Sequence, residues 1–471
     1  MAISWSGLSP ELLLRLDRGS AQPLRSQLET SLREAIRAGR LRAGERLPSS
    51  RELARELSVS RGLVQECYNQ LLSEGYLISQ VGSATRVASA ATAATPEPTP
   101  HHATGLALIA DFRAGVPDLA SFPRGDWVWA TREACAEVAT RDLDYGDPRG
   151  SLVLRRVLGG YLRRVRAAEA DENRLIISTG FAQGIMLVLR ALAQIGARCV
   201  ALEDPGYGSA ETDDTAQGAV AMGLRVVHVP VDDQGIDVTA LAATGADVAV
   251  VTPAHQSPTG VVLAASRRHA LVNWARENGA YIIEDDYDSE FRYDKDPVGV
   301  LQGLASDRVC SIGTASKALA PAVRLGWVLA PPSLADAVAA QKQISDRGSS
   351  TLDQLALAAL LESGRYDRHL RRMRGIYGRR RAELIDALSR RVPGLRLTGL
   401  AAGFHAVAHL PDQADERAVV AAARERMVGL YGMGDYRATA AAAAPQLVLG
   451  FGNVSERAIE PGIAAVADLL A

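Results

Sequence analysis

The stretch Gly313–Trp327 reads GTASKALAPAVRLGW and holds one lysine, Lys317, among small and apolar residues. Lysine is scarce in this chain: of the 52 lysines and arginines, only Lys295, Lys317 and Lys342 are lysines. A guanidinium stays protonated at neutral pH, whereas a lysine amine can lose its proton and form a Schiff base. Taken alone, the stretch fits an ordinary helix-surface lysine and a lysine kept for its amine equally well.

The residues around this stretch predict an α/β fold. From residue 107 onward, short apolar runs alternate with amphipathic or alanine-rich stretches, which is typical of a mostly parallel sheet with helices on both faces. In such a sheet ligands bind at the carboxyl ends of the strands. The predicted strands lie within residues 174–178, 198–203, 225–231, 247–253, 280–286, 308–313 and 326–332.

The turns that follow the first two predicted strands carry candidate ligand-binding groups. TGFAQG leads into a helix whose first N–H groups, on Phe181 and Ala182, can hold a phosphate. DPGYG presents Tyr207, whose ring can stack on a cofactor or whose hydroxyl can bond to it. Each segment alone fits an ordinary turn or surface loop.

A carboxylate at a buried strand end costs several kcal/mol (about 2–7 for a polar group) unless it meets a partner. After AYIIE, Asp285 is the first candidate for this position, with Asp286 in reserve, and a protonated pyridine nitrogen would be such a partner. Tyr287 can bond to the phenolic oxygen of the same ring. An N-cap carboxylate for the next helix is the alternative, but it leaves the other segments unexplained.

The opening stretch completes the set of groups that pyridoxal phosphate requires. Lys317 can form the Schiff base, Thr314 and Ser316 provide hydroxyls, and the Arg324 guanidinium can bind the phosphate through two N–H groups. The order of carboxylate strand end, hydroxyl-rich turn with lysine, and then arginine is specific. Together the four segments resemble fold-type I aminotransferases across roughly residues 110–471, which favours a lysine kept for its amine.

The N-terminal residues predict a winged helix-turn-helix. Ser49 and Glu52 form a capping-box pattern before one short helix, and Ser60 precedes a second helix. Two short extended runs around Gly82 then suggest a β-hairpin wing. A packing domain without DNA contacts is the alternative, but residues 1–87 hold 12 arginines against 9 acidic residues, which weakly favours nucleic acid.

Residues 24–87 resemble the winged helix-turn-helix of GntR-type bacterial regulators, through the string GERLPSSRELA followed by VSR. That resemblance implies DNA contacts in the first and second helices, with Gly82 as the wing glycine. Whether Arg61 reaches a phosphate or pairs with guanine stays open. The implied DNA-contacting residues are Arg51, Ser60, Arg61, Gly62, Leu63 and Gln65.

Residues 88–106 are rich in alanine, threonine and proline, and their composition predicts a linker. It separates a DNA-binding domain, residues 1–87, from an aminotransferase-like domain, residues 107–471. The four cysteines show no metal-ligand spacing and are interpreted as buried thiols, no metal is expected, and no apolar run predicts a membrane span. The expected location is the cytoplasm.

This domain pair resembles MocR-type regulators, a branch of the GntR superfamily. The resemblance implies a homodimer that binds operator DNA, with pyridoxal phosphate bound near the dimer interface as part of a sensor. The effector would be pyridoxal phosphate itself, an amine or an amino acid. A working aminotransferase with an accessory DNA-binding domain is the rival interpretation, and a degenerate aminotransferase fold used only for dimerisation is a third.

Three positions depart from the enzyme pattern. The asparagine that usually precedes a P-T-G turn is replaced by Ser257, and the place of the arginine that clamps a substrate carboxylate falls on Val448. A second arginine, found in the 4-aminobutyrate sensors of this family, is replaced by Ser209. These departures favour a sensor over an enzyme, and within the family they favour the PdxR-like regulators of pyridoxal phosphate synthesis.

Overall fold

A computed structural model of the chain describes residue 14 and residues 16–79, 84–88, 108–209, 211–293, 299–439 and 443–471. The chain divides into two units, Met1–Gly105 and Leu106–Ala471. Residues 89–107, which include nearly all of the predicted linker, lie outside the described residues, as do Gly82 and Lys295. In the described part, no helix is long and apolar enough to cross a membrane.

The N-terminal unit contains the predicted helices and hairpin. Ser49 accepts a hydrogen bond from the backbone N–H of Glu52, and Ser60 accepts one from that of Leu63, so both predicted caps are formed. The helix that begins after Ser60 buries Tyr68 and its neighbours in the same apolar core as the helix that begins after Ser49. The elements are helices α1 (Leu24–Arg37), α2 (Ser50–Glu56) and α3 (Arg61–Ser73) and the antiparallel strands β1 (Leu77–Ile78) and β2 (Arg86–Val87).

The larger unit alternates helices with strands through most of its length. Its helices are α4 (Arg124–Glu137), α5 (Leu152–Arg166), α6 (Phe181–Gln194), α7 (Asp214–Ala221), α8 (Val238–Ala242), α9 (Ala265–Glu277), α10 (Ala335–Asp346), α11 (Thr351–Glu362), α12 (Arg365–Arg391), α13 (Glu416–Glu425) and α14 (Glu456–Val466). Its strands are β3 (Ala110–Asp111), β4 (Leu175–Ser178), β5 (Cys199–Asp204), β6 (Arg225–Asp232), β7 (Gly235–Ile236), β8 (Val248–Val251), β9 (Tyr281–Asp286), β10 (Val309–Thr314), β11 (Gly326–Leu329), β12 (Arg396–Thr398), β13 (His405–His409), β14 (Val428–Gly429) and β15 (Gln446–Gly450).

Eight of these strands form the central sheet, in the order β4-β11-β10-β9-β8-β5-β6-β7. The neighbours from β10 through β6 pair in parallel, and β11 and β7 run antiparallel to their neighbours. All seven predicted strands are present. The carboxyl ends of β4, β5, β8, β9 and β10 therefore meet at one edge of the sheet, where the candidate residues follow them.

The sheet is buried on both faces because its strand residues alternate between two apolar cores. Val200 and Leu202 of β5 pack with α6 and α10, whereas Cys199 and Ala201 pack on the other face with α9. The predicted mostly parallel α/β architecture is confirmed. A second sheet of β12, β13 and β15 is antiparallel, and β14 pairs with β3.

One prediction about the cysteines is wrong. Cys67, Cys199 and Cys310 are buried as expected, but Cys135 is exposed. It lies on α4, whose core-facing residues are Ala130 and Ala134, four positions apart. The residue that follows Ala134 is turned about 100° around the helix axis and faces away from that core.

Candidate functional site

The predicted cofactor residues lie at the carboxyl edge of the central sheet. Phe181 and Ala182 open α6 directly after β4, and Tyr207 follows β5. Asp285 is the penultimate residue of β9, Tyr287 comes directly after that strand, and Lys317 follows β10. Because these strands are parallel, segments separated by more than a hundred residues converge at one place.

Lys317 is partly buried and held at the edge of the central sheet rather than on a helix surface. Its Nζ donates a hydrogen bond of 2.6 Å to the carbonyl oxygen of Gly115. Burial lowers the pKa of the Lys317 amine below the ordinary lysine value, and the nearby Asp285 and Asp288 carboxylates oppose that shift. A lysine with a lowered pKa is more readily available as a nucleophile.

Asp285 has one oxygen in use and one without a partner. Its Oδ2 accepts a hydrogen bond of 3.1 Å from the Tyr207 hydroxyl, whereas its buried Oδ1 has no hydrogen-bond partner among the described residues. Burial raises the pKa of Asp285 well above its ordinary value. The alternative, Asp286, forms a bidentate pair with Arg166 at 2.8 and 2.7 Å and is therefore already neutralised.

The N-terminus of α6 forms one side of a small polar cradle. Gly180 precedes the helix with a φ of +118°, and a Cβ at this position would lie 3.7 Å from Nη1 of Arg324 and 3.9 Å from Oγ of Ser316. Oγ1 of Thr314 is also 3.9 Å from that point and bonds to Ser316 at 2.9 Å. Two hydroxyls, a guanidinium and a helix N-terminus thus surround a space that a side chain at position 180 would fill, which suits a phosphate.

Tyr287 lies against a histidine that the sequence analysis did not assign. Its hydroxyl donates to the backbone oxygen of His255 at 3.0 Å and lies 3.3 Å from Nδ1 of the same residue. His255 Nδ1 is in turn 2.8 Å from Oδ2 of Asp288. On the other side of the site, the Tyr207 ring packs on Phe181 with centroids 5.3 Å apart.

These residues fit pyridoxal phosphate. The unpartnered Asp285 oxygen suits the protonated ring nitrogen, the cradle at Gly180 suits the phosphate, and Lys317 supplies a buried amine. Tyr207 differs from the simplest expectation because its hydroxyl is engaged by Asp285. The Tyr207 hydroxyl would therefore orient the Asp285 carboxylate, while the Tyr207 ring would remain free to stack on the cofactor.

The candidate DNA-binding residues surround the start of α3. Arg51 is exposed on α2, and Arg61, Gly62 and Gln65 are exposed on the first turns of α3. Leu63 is only half-buried and packs against the core of this unit, which leaves it less available to a base than its neighbours. Ser60 is exposed and uses its hydroxyl as the cap of α3.

Two contributors to the cofactor site could not be found from sequence. Gly115, the hydrogen-bond partner of Lys317, is 202 positions away from it and belongs to no recognisable motif. Asp288 follows Tyr287 immediately, but no spacing along the chain distinguishes it from the other acidic residues nearby. Only the fold brings both of them to the sheet edge.

Comparison with known proteins identifies the family. Residues 24–87 match the model of bacterial regulatory proteins of the gntR family, and residues 111–446 match that of aminotransferase class I and II. The probable rhizopine catabolism regulatory protein MocR of Rhizobium meliloti is 33% identical over 405 residues, 80% of each chain. The chain is a MocR-type regulator.

Other matches agree with this assignment. The HTH-type pyridoxine biosynthesis transcriptional regulator PdxR of Corynebacterium glutamicum is 34% identical to this MocR-type regulator, over 84% of this chain and 85% of that one. Its larger unit is similar to the crystal structure of an archaeal alanine:glyoxylate aminotransferase, with a TM-score of 0.70 and 25% identity over 78% of this chain and 91% of that one. This MocR-type regulator is thus an HTH-type transcriptional regulator with an aminotransferase-like fold.

Proposed function

We propose that this MocR-type regulator is a cytoplasmic homodimer that binds operator DNA and senses pyridoxal phosphate through Lys317. The observation that carries the proposal is the buried Asp285 oxygen without a partner, at the same sheet edge as a buried lysine amine. A carboxylate in that state costs free energy unless a cationic group arrives. When bound, pyridoxal phosphate supplies an aldehyde for the lysine and a ring nitrogen for the carboxylate.

Each side chain of the site then has a separate task. Asp285 would hold the ring nitrogen, oriented by the Tyr207 hydroxyl bond of 3.1 Å. Thr314, Ser316 and Arg324, with the first N–H groups of α6, would hold the phosphate. Together these residues would bind and orient the cofactor, and none of them is assigned to a substrate.

The substrate side of the site favours the cofactor itself as the effector over an α-amino acid. Val448 occupies the place of the carboxylate-binding arginine, and it is fully buried in an apolar cluster with Val407 and Met433. Ser209, at the place of the second arginine, bonds to Thr212 at 3.0 Å. A carboxylate directed at Val448 would go unpaired, which is strongly unfavourable. Similarity to a relative named for pyridoxine biosynthesis supports the same effector.

The homodimer is supported by exposed apolar side chains on the larger unit. Leu143 and Tyr145 are 59% and 70% exposed, and Ile344 is 75% exposed. Contiguous exposed apolar patches commonly mark an interface, whereas single exposed apolar residues are ordinary, so these three positions are where we place the dimer contact for testing. A dimer also suits a helix-turn-helix, because two recognition helices then read two half-sites of an operator.

The test combines cofactor spectroscopy with operator binding. Purified protein is titrated with pyridoxal phosphate, and mobility shifts on the DNA upstream of its own gene and its neighbours are measured at each concentration. We expect operator affinity to change with cofactor occupancy, and Lys317→Ala to bind DNA without that response. If operator affinity does not change with pyridoxal phosphate but changes with an amine or amino acid, that compound rather than the cofactor is the effector. If the protein takes up no cofactor at all, the proposal is overturned.

A further inference from the structure

We propose that the buried pair of His255 and Asp288 is a positioning element of the cofactor site, which fixes the Tyr287 phenol and adds a carboxylate to the electrostatic surroundings of Lys317. The inference rests on the proposed binding of pyridoxal phosphate. It assigns a role to two residues to which the sequence analysis gave none.

The pair is closed off from solvent and tightly enclosed. The side chains of His255 and Asp288 are 0% and 1% exposed, with 2.8 Å between Nδ1 and Oδ2. Gly403, at a φ of +66°, packs so closely on them that a Cβ at that position would collide with both side chains. The second ring nitrogen of His255 lies 3.2 Å from the carbonyl oxygen of Gly399. Each member is therefore held in one orientation.

The histidine reaches the cofactor site through Tyr287. A phenol has a single proton to donate, and in this structure it is directed at the His255 backbone oxygen. If that proton turns toward the phenolic oxygen of the cofactor, the His255 ring still limits where the phenol oxygen can move. His255 Nδ1 lies 3.3 Å from that oxygen and 2.8 Å from Oδ2 of Asp288, so Asp288 fixes the ring against which the phenol lies.

Asp288 also interacts electrostatically with the lysine. Its carboxylate favours the positively charged form of Lys317, as that of Asp285 does. Its second oxygen, Oδ1, has no hydrogen-bond partner among the described residues, which a purely structural carboxylate would be expected to have. This orphaned oxygen favours an electrostatic role toward the lysine.

Other ionisable groups adjoin the pair and enter the pH argument. The ring of His405 lies 4.5 Å from that of His255, and its Nε2 is bonded to the Pro258 carbonyl, while burial keeps its pKa well below the ordinary value. Asp285 and Glu290 both interact electrostatically with Asp288, and burial raises the pKa of each. Among these groups, Lys317 is the one whose positive charge Asp288 favours.

The expected effect is a shift in the pH at which the lysine-bound cofactor loses its visible absorbance. Removing the Asp288 carboxylate disfavours the protonated form of the lysine-bound cofactor. Asp288→Asn should therefore lower the midpoint pH of the absorbance change by about 1 pH unit. Tyr287→Phe removes a donor that stabilises the anionic oxygen of the ring in the deprotonated form, so it should raise the midpoint. Opposite shifts would not follow from a site that is merely loosened.

The experiment is an absorbance titration of the full-length holoprotein from wild type, both variants and Glu284→Gln. Glu284 is a matched control, because it is a buried carboxylate on β9 that binds the backbone N–H groups of Leu301 and Gln302 instead. Thermal unfolding and cofactor stoichiometry are recorded for each protein. If Asp288→Asn does not fold, Asp288→Ser removes the same charge and carries the same measurement.

The outcomes separate the two proposals. A wild-type protein without a lysine-bound chromophore contradicts the proposed function. A wild-type chromophore whose midpoint is unchanged in the folded Asp288 variant, or shifted equally by Glu284→Gln, overturns the positioning role and leaves the proposed function standing. A downward shift in the Asp288 variant alone, with an upward shift in Tyr287→Phe, supports the pair.

Discussion

Lys317 donates a hydrogen bond of 2.6 Å from Nζ to the carbonyl oxygen of Gly115, which lies 202 positions earlier in the chain. The bond anchors the amine at the edge of the central sheet, where burial lowers its pKa. An amine in this state can give up its proton at a lower pH than an ordinary lysine. The lysine is thereby prepared for reaction with an aldehyde.

We expect Lys317 to be the residue that binds pyridoxal phosphate covalently. Purified protein should be yellow, and borohydride reduction should fix the cofactor to the peptide that contains Lys317. Lys317→Ala should remove the visible band because it removes the amine that follows β10 at this edge of the sheet. Label recovered on Lys295 or Lys342, or a colourless protein after incubation with the cofactor, would contradict this assignment.

Replacing Asp285 should affect stability and cofactor affinity in opposite directions. Burial raises its folded-state pKa well above the unfolded value, so the stability contributed by its bound proton is present below the unfolded pKa and is lost as the pH rises through the folded pKa. Asp285→Asn should therefore stabilise the cofactor-free protein by about 1–3 kcal/mol at neutral pH, with little effect near pH 4.

The same variant should bind pyridoxal phosphate more weakly, because the ring nitrogen loses its carboxylate. Thermal unfolding at several pH values and a cofactor titration measure the two effects. Asp204→Asn is the control, since Asp204 is also a buried strand-end carboxylate but bonds to Thr439 and Ala438. Equal effects from both variants would show that Asp285 has no special role.

Arg61→Ala should weaken operator binding by about 1–3 kcal/mol, as expected for an arginine at the start of a recognition helix. Arg33→Ala is the matched control, because Arg33 pairs with Glu74 beyond the opposite end of α3. Mobility shifts at fixed salt concentration measure both proteins, and cofactor absorbance should stay intact. Equal binding by the two variants would mean that another surface contacts the DNA.

We expect no sustained transamination of common α-amino acids. The buried Val448 cannot pair with a substrate carboxylate, and loss of orientation removes a large part of the rate advantage. Arg437 follows the Met433–Tyr436 turn in this region and is the residue best placed to compensate. Keto-acid formation and stopped-flow absorbance with a panel of amino acids and amines provide the measurement. Repeated turnover with any of them would favour the aminotransferase interpretation.

Lys342 should be essential for stability rather than for chemistry. Its buried ammonium donates to Gln183, Asp346 and Ser349 at 2.8, 2.7 and 2.8 Å. Lys342→Met removes three hydrogen bonds and the cationic partner of Asp346, although Thr179 still donates to Gln183 and Gln183 to Asp346, and it should lower the free energy of unfolding by about 2–4 kcal/mol. Urea denaturation measures the loss, and Arg141→Met, at a side chain that is 88% exposed, should be nearly neutral.

Much of the molecule follows from local sequence. Short apolar runs predicted the seven strands, and the capping patterns at Ser49 and Ser60 predicted where α2 and α3 begin. Local signals suffice for these features because caps and strand periodicity depend on residues within a few positions. The prediction of buried thiols, which rested only on the lack of metal-ligand spacing among the cysteines, failed at Cys135, since which face of α4 is buried depends on what packs against it.

The sequence by itself determined the candidate groups of the cofactor site, because Lys317, Asp285 and Arg324 each lie at a recognisable position relative to a strand. Only the tertiary structure distinguishes Asp285 from Asp286, since the pairing of Asp286 with Arg166 spans 120 positions. It also brought Gly115 to the lysine and enclosed Asp288 with His255. Such contacts depend on the parallel packing of distant strands, and no spacing along the chain records which residues that packing will join.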